Sequence, residues 1–184
     1  LLAKGTRHPN LALLKIAGFL FDNNIPFELI LDSKSDISRF GHIFMSRVFS
    51  FTPLPEFYTR VLGTNEESKF HVGGTGFYAA EKDVKVFSQK RRADMHSLEE
   101  DPFLSSFPNH RGGEKLKGID MARQMPYYHL YDAYVEQQVQ KGFKRERYKD
   151  YQQYSIGFLT RGCIRHCPFC INKLEKTILP YSRL

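Results

Sequence analysis

Three thiols stand near the C-terminal end of the chain, Cys163, Cys167 and Cys170 in the stretch GFLTRGCIRHCPFCIN, and they are all the cysteines it has. Their spacing is C-x3-C-x2-C. An odd number packed so tightly does not suit the disulfide framework that staples small secreted domains. Reduced thiols are therefore expected, and with them a cytoplasmic setting. Three thiolates can hold three irons of a four-iron cluster and leave the fourth iron an open coordination site, whereas a cluster that only carries electrons normally has four protein ligands. A single loop after a strand can wrap such a cube, with the cationic Arg161 and Arg165 close in sequence to offset the thiolate charge. Two other chemistries compete. A structural zinc site takes four ligands in paired halves. Its fourth would be His166, poorly placed between two of the cysteines, or a distant His8 or His129. A redox pair at Cys167-Pro168-Phe169-Cys170 belongs at a helix start in a thioredoxin-like setting and leaves Cys163 without a role.

The elements that must position this loop are read from periodicity. From Asn10, NLALLKIAGFLFDNN places Leu11, Leu14, Ala17 and Phe21 at helical spacing, with Leu13, Ile16 and Leu20 widening the stripe and Asn10 as cap. FELIL (27–31) reads as a strand, and HIFMSRVF (42–49) as a second, apolar enough to be buried on both faces. Thr52 to Leu62 reads as a helix that Gly63 ends, and KFHVGG (69–74) as a strand breaking at Gly73-Gly74-Thr75-Gly76. Alternating strands and helices imply a Rossmann-like open parallel sheet. If a strand precedes Pro9, Leu1 to Ala3 are its tail. Periodicity fades between Tyr78 and Met121, where an irregular connector is expected. A helix resumes over 126–143 with Leu130, Tyr134 and Val139 on one side, and a strand over 154–160 runs into the cysteines.

At 184 residues, 41% hydrophobic and 26% charged, the composition is that of a globular chain. No stretch approaches the roughly 18 consecutive apolar residues of a membrane span, and the opening LLAKGTRHPN lacks the apolar core of a secretory signal. The net charge of +7 comes largely from clusters such as Lys90-Arg91-Arg92 and Lys141 to Lys149. Such clusters can track a phosphate backbone, although a solvated helix face is their plainer role and no nucleic-acid-binding motif accompanies them. The acidic run of Asp94, His96, Glu99, Glu100 and Asp101 lacks the spacing that would converge ligands on a metal.

FLTRGCIRHCPFC resembles the signature of the radical S-adenosylmethionine superfamily, C-x3-C-x-Φ-C with Φ aromatic, and Phe169 stands at the Φ place. The resemblance implies a 4Fe-4S cluster on Cys163, Cys167 and Cys170. It implies S-adenosylmethionine chelating the fourth iron, with reductive cleavage to a 5′-deoxyadenosyl radical, and Phe169 packing near the adenine. It also implies an electron donor such as a flavodoxin or ferredoxin. Upstream, HPNLALLKIAGF, HIFMSRVFSFT and FHVGGTGF resemble the cobalamin-binding-like Rossmann domain that some of these proteins carry before their barrel. There a strand ending in Gly-Gly, here Gly73 and Gly74, lets backbone approach a corrinoid closely; a tight strand-to-helix turn without ligand explains the same glycines. The D-x-H-x-x-G signature of proteins that give a histidine to cobalt is absent. Arg111-Gly112-Gly113-Glu114 precedes the cysteines, whereas the family's methionine-binding Gly-Gly-Glu follows them.

The expected organisation is a Rossmann-like, cobalamin-binding-like domain over 1–78, a connector over 79–150, and over 151–184 the first strand and cluster loop of a (β/α) barrel. A closed barrel takes about 250 residues, so the chain is expected to be an N-terminal fragment, inactive alone. The alternative function is a basic nucleic-acid-binding module with a Cys/His zinc site, and a third is a docking domain for a partner protein.

Overall fold

The computed structural model describes residues 8–49, 51–74, 76–77, 101–109, 117–157, 160–161, 165 and 177–180. Helix α1, Leu11–Asp22, begins where Asn10 accepts the Leu13 amide on its side-chain oxygen at 3.1 Å. This satisfies one of the donors that a helix start leaves orphaned. The expected stripe is too narrow. Every residue from Leu13 to Leu20 is buried, Phe19 among them, while Phe21 is exposed and stacks on Tyr127.

The helix is enclosed because chain from both sides covers it. Strand β1, Ile43–Ser46, lies against it, and the stretch 117–131, with Leu104 beside it, crosses its other flank. That crossing is close. A Cβ on Gly18 would stand 2.1 Å from the Met125 carbonyl oxygen, the Tyr127 amide donates to the Leu14 carbonyl at 2.8 Å, and the buried Lys15 extends its Nζ to the Met121 carbonyl at 2.5 Å. Gln124, also buried, donates to the Asp22 carboxylate at 3.0 Å. A buried ammonium costs several kcal/mol unless its donors are taken, so Lys15 needs these carbonyls as much as the crossing segment needs Lys15.

Strand β1 pairs in parallel with β2, Phe70–Gly73, in the register Ile43↔Phe70 to Ser46↔Gly73. Parallel neighbours need a crossover, and helix α2, Glu56–Val61, supplies it. Its N-cap is Pro55, later than the Thr52-Pro53 start expected, and it ends before Gly63, which takes a φ of +80° that L side chains avoid. Ile43 and Met45 face a cluster with Phe57 and Tyr58, while Phe44 on the opposite face packs toward α1. Both faces of β1 are thus in contact, as its apolar run predicts.

The expected strand at 27–31 is not formed. The residues lie beside the core without a ladder. Between Phe107 and Ile119 an isolated bridge joins Pro108 and Lys117, and the buried Leu104 and Ile119 join the α1 cluster. The helix expected over 126–143 is a 3-10 turn at Tyr128–Tyr131 continuing into α3, Asp132–Gln140. Its buried centre is Tyr131 and Val135, one helical turn apart, with Leu130, Tyr134 and Val139 around them. Arg145 in the basic run binds Glu136 at 2.7 and 2.8 Å and Gln152 at 3.1 Å, and a further short helix, α4, spans Lys149–Gln152. Of the strand expected at 154–160, residues 154–157 join no ladder; β3, Thr160–Arg161, pairs antiparallel with β4, Leu179–Pro180. The architecture is mixed α/β with a small parallel sheet. Among the described residues no helix is long and apolar enough to cross a membrane.

Candidate functional site

Cys163, Cys167, Cys170 and Phe169 lie outside the described residues, as do the Gly-Gly-Glu letters at 112–114. What is described is the stem of the cysteine loop. Thr160 pairs with Pro180 and Arg161 with Leu179, so the chain on the two sides of 162–178 is held together. Holding the two ends of a segment together lowers the entropic cost of ordering what lies between them.

Gly73 and Gly74 sit at the carboxyl end of the parallel pair, the end at which open α/β sheets bind their ligands. The two differ. Gly74 has φ +97°, and a Cβ there would meet the Arg47 carbonyl oxygen at 2.4 Å. A Cβ on Gly76 would meet the Phe49 carbonyl at 2.7 Å. Both glycines therefore admit the backbone leaving β1. Reciprocal bonds fix that crossing: the Arg47 amide donates to Gly73 at 2.9 Å, and the Gly76 amide donates to Arg47 at 2.8 Å. The Arg47 guanidinium donates to the Thr52 carbonyl at 2.8 Å, and burial lowers its pKa. Gly73 alone faces open space. Beside this turn Val48, Phe49 and Phe51 are exposed, and the two rings stack at 5.1 Å.

The amino end of the same strands carries a group that the sequence reading missed. The His71 Nδ1 contacts the Asp101 carboxylate, and its Nε2 lies 3.0 Å from the His42 Nδ1. The other Asp101 oxygen accepts the amides of Phe103 and Leu104, both at 3.0 Å. Phe103 stacks on His42 at 3.7 Å, and Phe44 stacks on His71 at 4.5 Å. Burial acts to raise the Asp101 pKa, but the bond from His71 and the amides it accepts outweigh burial and hold it below the usual carboxylate value. Burial, with the neighbouring His71, lowers that of His42. Among the described residues no three His, Cys, Asp or Glu side chains converge as a metal-binding group. Through these bonds and stacks His42, His71 and Asp101 staple the segment that begins at Asp101 onto the sheet. The strands expected over 42–49 and 69–74 contain His42 and His71; their meeting depends on the parallel register, which no local pattern encodes.

Tyr131 ties the helical half to α1. Its hydroxyl accepts the Asn10 amide at 3.2 Å, and burial pushes its pKa up to about 12 against that bond. No protein-family model matches this chain, and no curated protein and no solved structure matches it.

Proposed function

We propose that this chain is the leading part of a radical S-adenosylmethionine enzyme, a cytoplasmic protein in which Cys163, Cys167 and Cys170 ligate a 4Fe-4S cluster. The observation that carries this reading is the C-x3-C-x2-C spacing with an aromatic, Phe169, before the last cysteine, directly after Thr160–Arg161. The donor set fits the group, since three thiolates serve three irons and leave one corner free. When bound, such a cluster delivers the electron that splits S-adenosylmethionine. The chain's own contribution is to hold three thiolates on one loop whose stem is β3 and β4, with Arg165 in the same loop, and to set Phe169 beside the adenine. A flavodoxin or ferredoxin is the electron donor in this reading.

The leading α/β region corresponds, in the same proposal, to a Rossmann-like, cobalamin-binding-like domain. Support comes from the parallel βαβ unit of β1, α2 and β2, and from glycines at its carboxyl end. The fit to a corrinoid is partial. Gly74 and Gly76 are accounted for by backbone packing, which leaves only the open face of Gly73 beside exposed Phe49 and Phe51.

Anaerobic reconstitution with iron and sulfide tests the proposal. Four irons and four sulfides per chain are expected, with loss of the cluster absorbance in Cys163→Ala, Cys167→Ala and Cys170→Ala, and reductive cleavage of S-adenosylmethionine by the full-length protein. One tightly held zinc per chain with salt-sensitive RNA binding would instead establish the nucleic-acid reading.

A further inference from the structure

The hydroxyl of Tyr128 accepts the backbone amide of Ile156 at 3.2 Å, across 28 residues of sequence. We infer that Tyr128 is a positioning residue for the cysteine stretch: it holds the chain that leads to Cys163 against the helical half of the molecule and, through Tyr131 and Asn10, against the carboxyl end of the parallel sheet. The inference rests on the reading of Cys163, Cys167 and Cys170 as cluster ligands.

The segment that Tyr128 holds has little else to hold it. Residues 154–157 join no ladder, and among the described residues their backbone makes no other hydrogen bond. Tyr154 is exposed and Ile156 only half-buried. Pairing with β4 ties β3 only to chain beyond the cysteines. Helix α4 ends at Gln152 and β3 begins at Thr160. A chain of eight residues reaches up to about 28 Å, whereas the four from Ile156 to Thr160 reach about 14 Å. The one bond therefore halves the distance over which the start of β3 can stray.

What Tyr128 is fixed to is firm. Its side chain packs on the buried cluster of Leu14, Tyr131, Val135 and Tyr151, and it opens the 3-10 turn Tyr128–Tyr131. Just ahead of that turn the Tyr127 amide donates to the Leu14 carbonyl at 2.8 Å. Tyr131, fully buried, accepts the Asn10 amide at 3.2 Å, and Asn10 donates from its side-chain amide to the Ser46 hydroxyl at 2.9 Å. Ser46 is the last residue of β1 and stands opposite Gly73. The tether thus runs from the end of the sheet at which open α/β folds bind their ligands to the entry of the cysteine stretch. Removing the hydroxyl leaves the ring to pack and the Ile156 amide without its acceptor, and a hydrogen bond of this kind is worth about a fivefold change in an equilibrium.

The test reconstitutes the cluster anaerobically and measures its release to an iron chelator, followed at the cluster absorbance, in Tyr128→Phe, in Ile156→Pro, which removes the donor, and in the double variant. Tyr134→Phe is the control, because it deletes a hydroxyl of the same ring cluster that accepts no bond from 154–157. Each single variant should release the cluster about fivefold faster, and the double variant no faster than either. The electron paramagnetic resonance spectrum of the reduced cluster should broaden in all three, while Tyr134→Phe matches the parent. Protection of the Tyr127 amide from exchange shows each protein folded, and Tyr128→Phe against Tyr134→Phe decides alone where Ile156→Pro loses that protection. Release at the parent rate in Tyr128→Phe, effects that add in the double variant, or an equal change in Tyr134→Phe overturns the inference and leaves the cluster reading in place. A chain that takes up no cluster overturns both.

Discussion

Two segments of this chain have nearly the same strand-forming composition and opposite fates. Phe70 to Gly73 lies in a parallel ladder beside Ile43 to Ser46, whereas Phe27 to Leu31, richer in large apolar side chains, joins no sheet. Strand propensity expresses fit to a pleated, half-buried surface more than an intrinsic backbone preference, and the contrast makes the point within one molecule. The first segment has a neighbour whose backbone is delivered by α2, locked by the Arg47 to Gly76 crossing and stapled by His42, His71 and Asp101. The second has side-chain contacts on several fronts but, among the described residues, no backbone partner.

The largest expected effect breaks the paired side at its crossing. Gly74→Val places a β-branched side chain at φ +97° and against the Arg47 carbonyl, and should cost about 3 kcal/mol or more, read as a fall in the urea midpoint. Next, Met45→Ala, in the buried face of β1, should cost about 2 to 4 kcal/mol. Leu29→Ala in the unpaired segment should cost about 1 kcal/mol, because the residue is only half-buried. Equal losses in the two variants would show that 27–31 is as firmly held as the ladder.

The smallest effect is a pH dependence confined to the paired side. His42 has a folded-state pKa below its ordinary 6.5, so the unfolded chain binds the proton first, and stability falls as pH drops through about 6.5 to the folded value. Asp101 has a folded-state pKa below 3.8, so its contribution is present above that pH and is lost as pH falls beneath it. Urea midpoints measured against pH should show two downward steps on acidification. His42→Phe, which can keep the stack on Phe103, should remove the upper step and leave the lower.

Features encoded locally were legible in the sequence. Asn10 as cap of α1, the end of α2 before Gly63, and the strand breaking at Gly73 each depend on a few adjacent residues. Features that depend on what arrives from elsewhere were not. Phe19 looks like a solvent-facing position until the 117–131 segment covers it, and Phe21 looks like core but stays exposed although Tyr127 of that segment stacks on it. Tyr131 and Val135 became the buried centre of the helical half through Leu14 and Tyr151, which lie far from them in sequence. The histidine staple follows the same rule, being assembled from three segments by a register that no single segment specifies. The three cysteines stand out by their spacing alone and lie outside the described residues, and that the chain on either side of them is held together became visible only through the pairing of β3 with β4.

The closeness of α1 to the chain crossing it has a consequence for how this sequence tolerates change. With the Met125 carbonyl where a first side-chain carbon would be, a single methyl group at position 18 would leave the helix itself intact and evict its neighbour. The displacement would strip Lys15 and Gln124 of their partners in the same motion, so one added carbon is converted into several broken polar contacts.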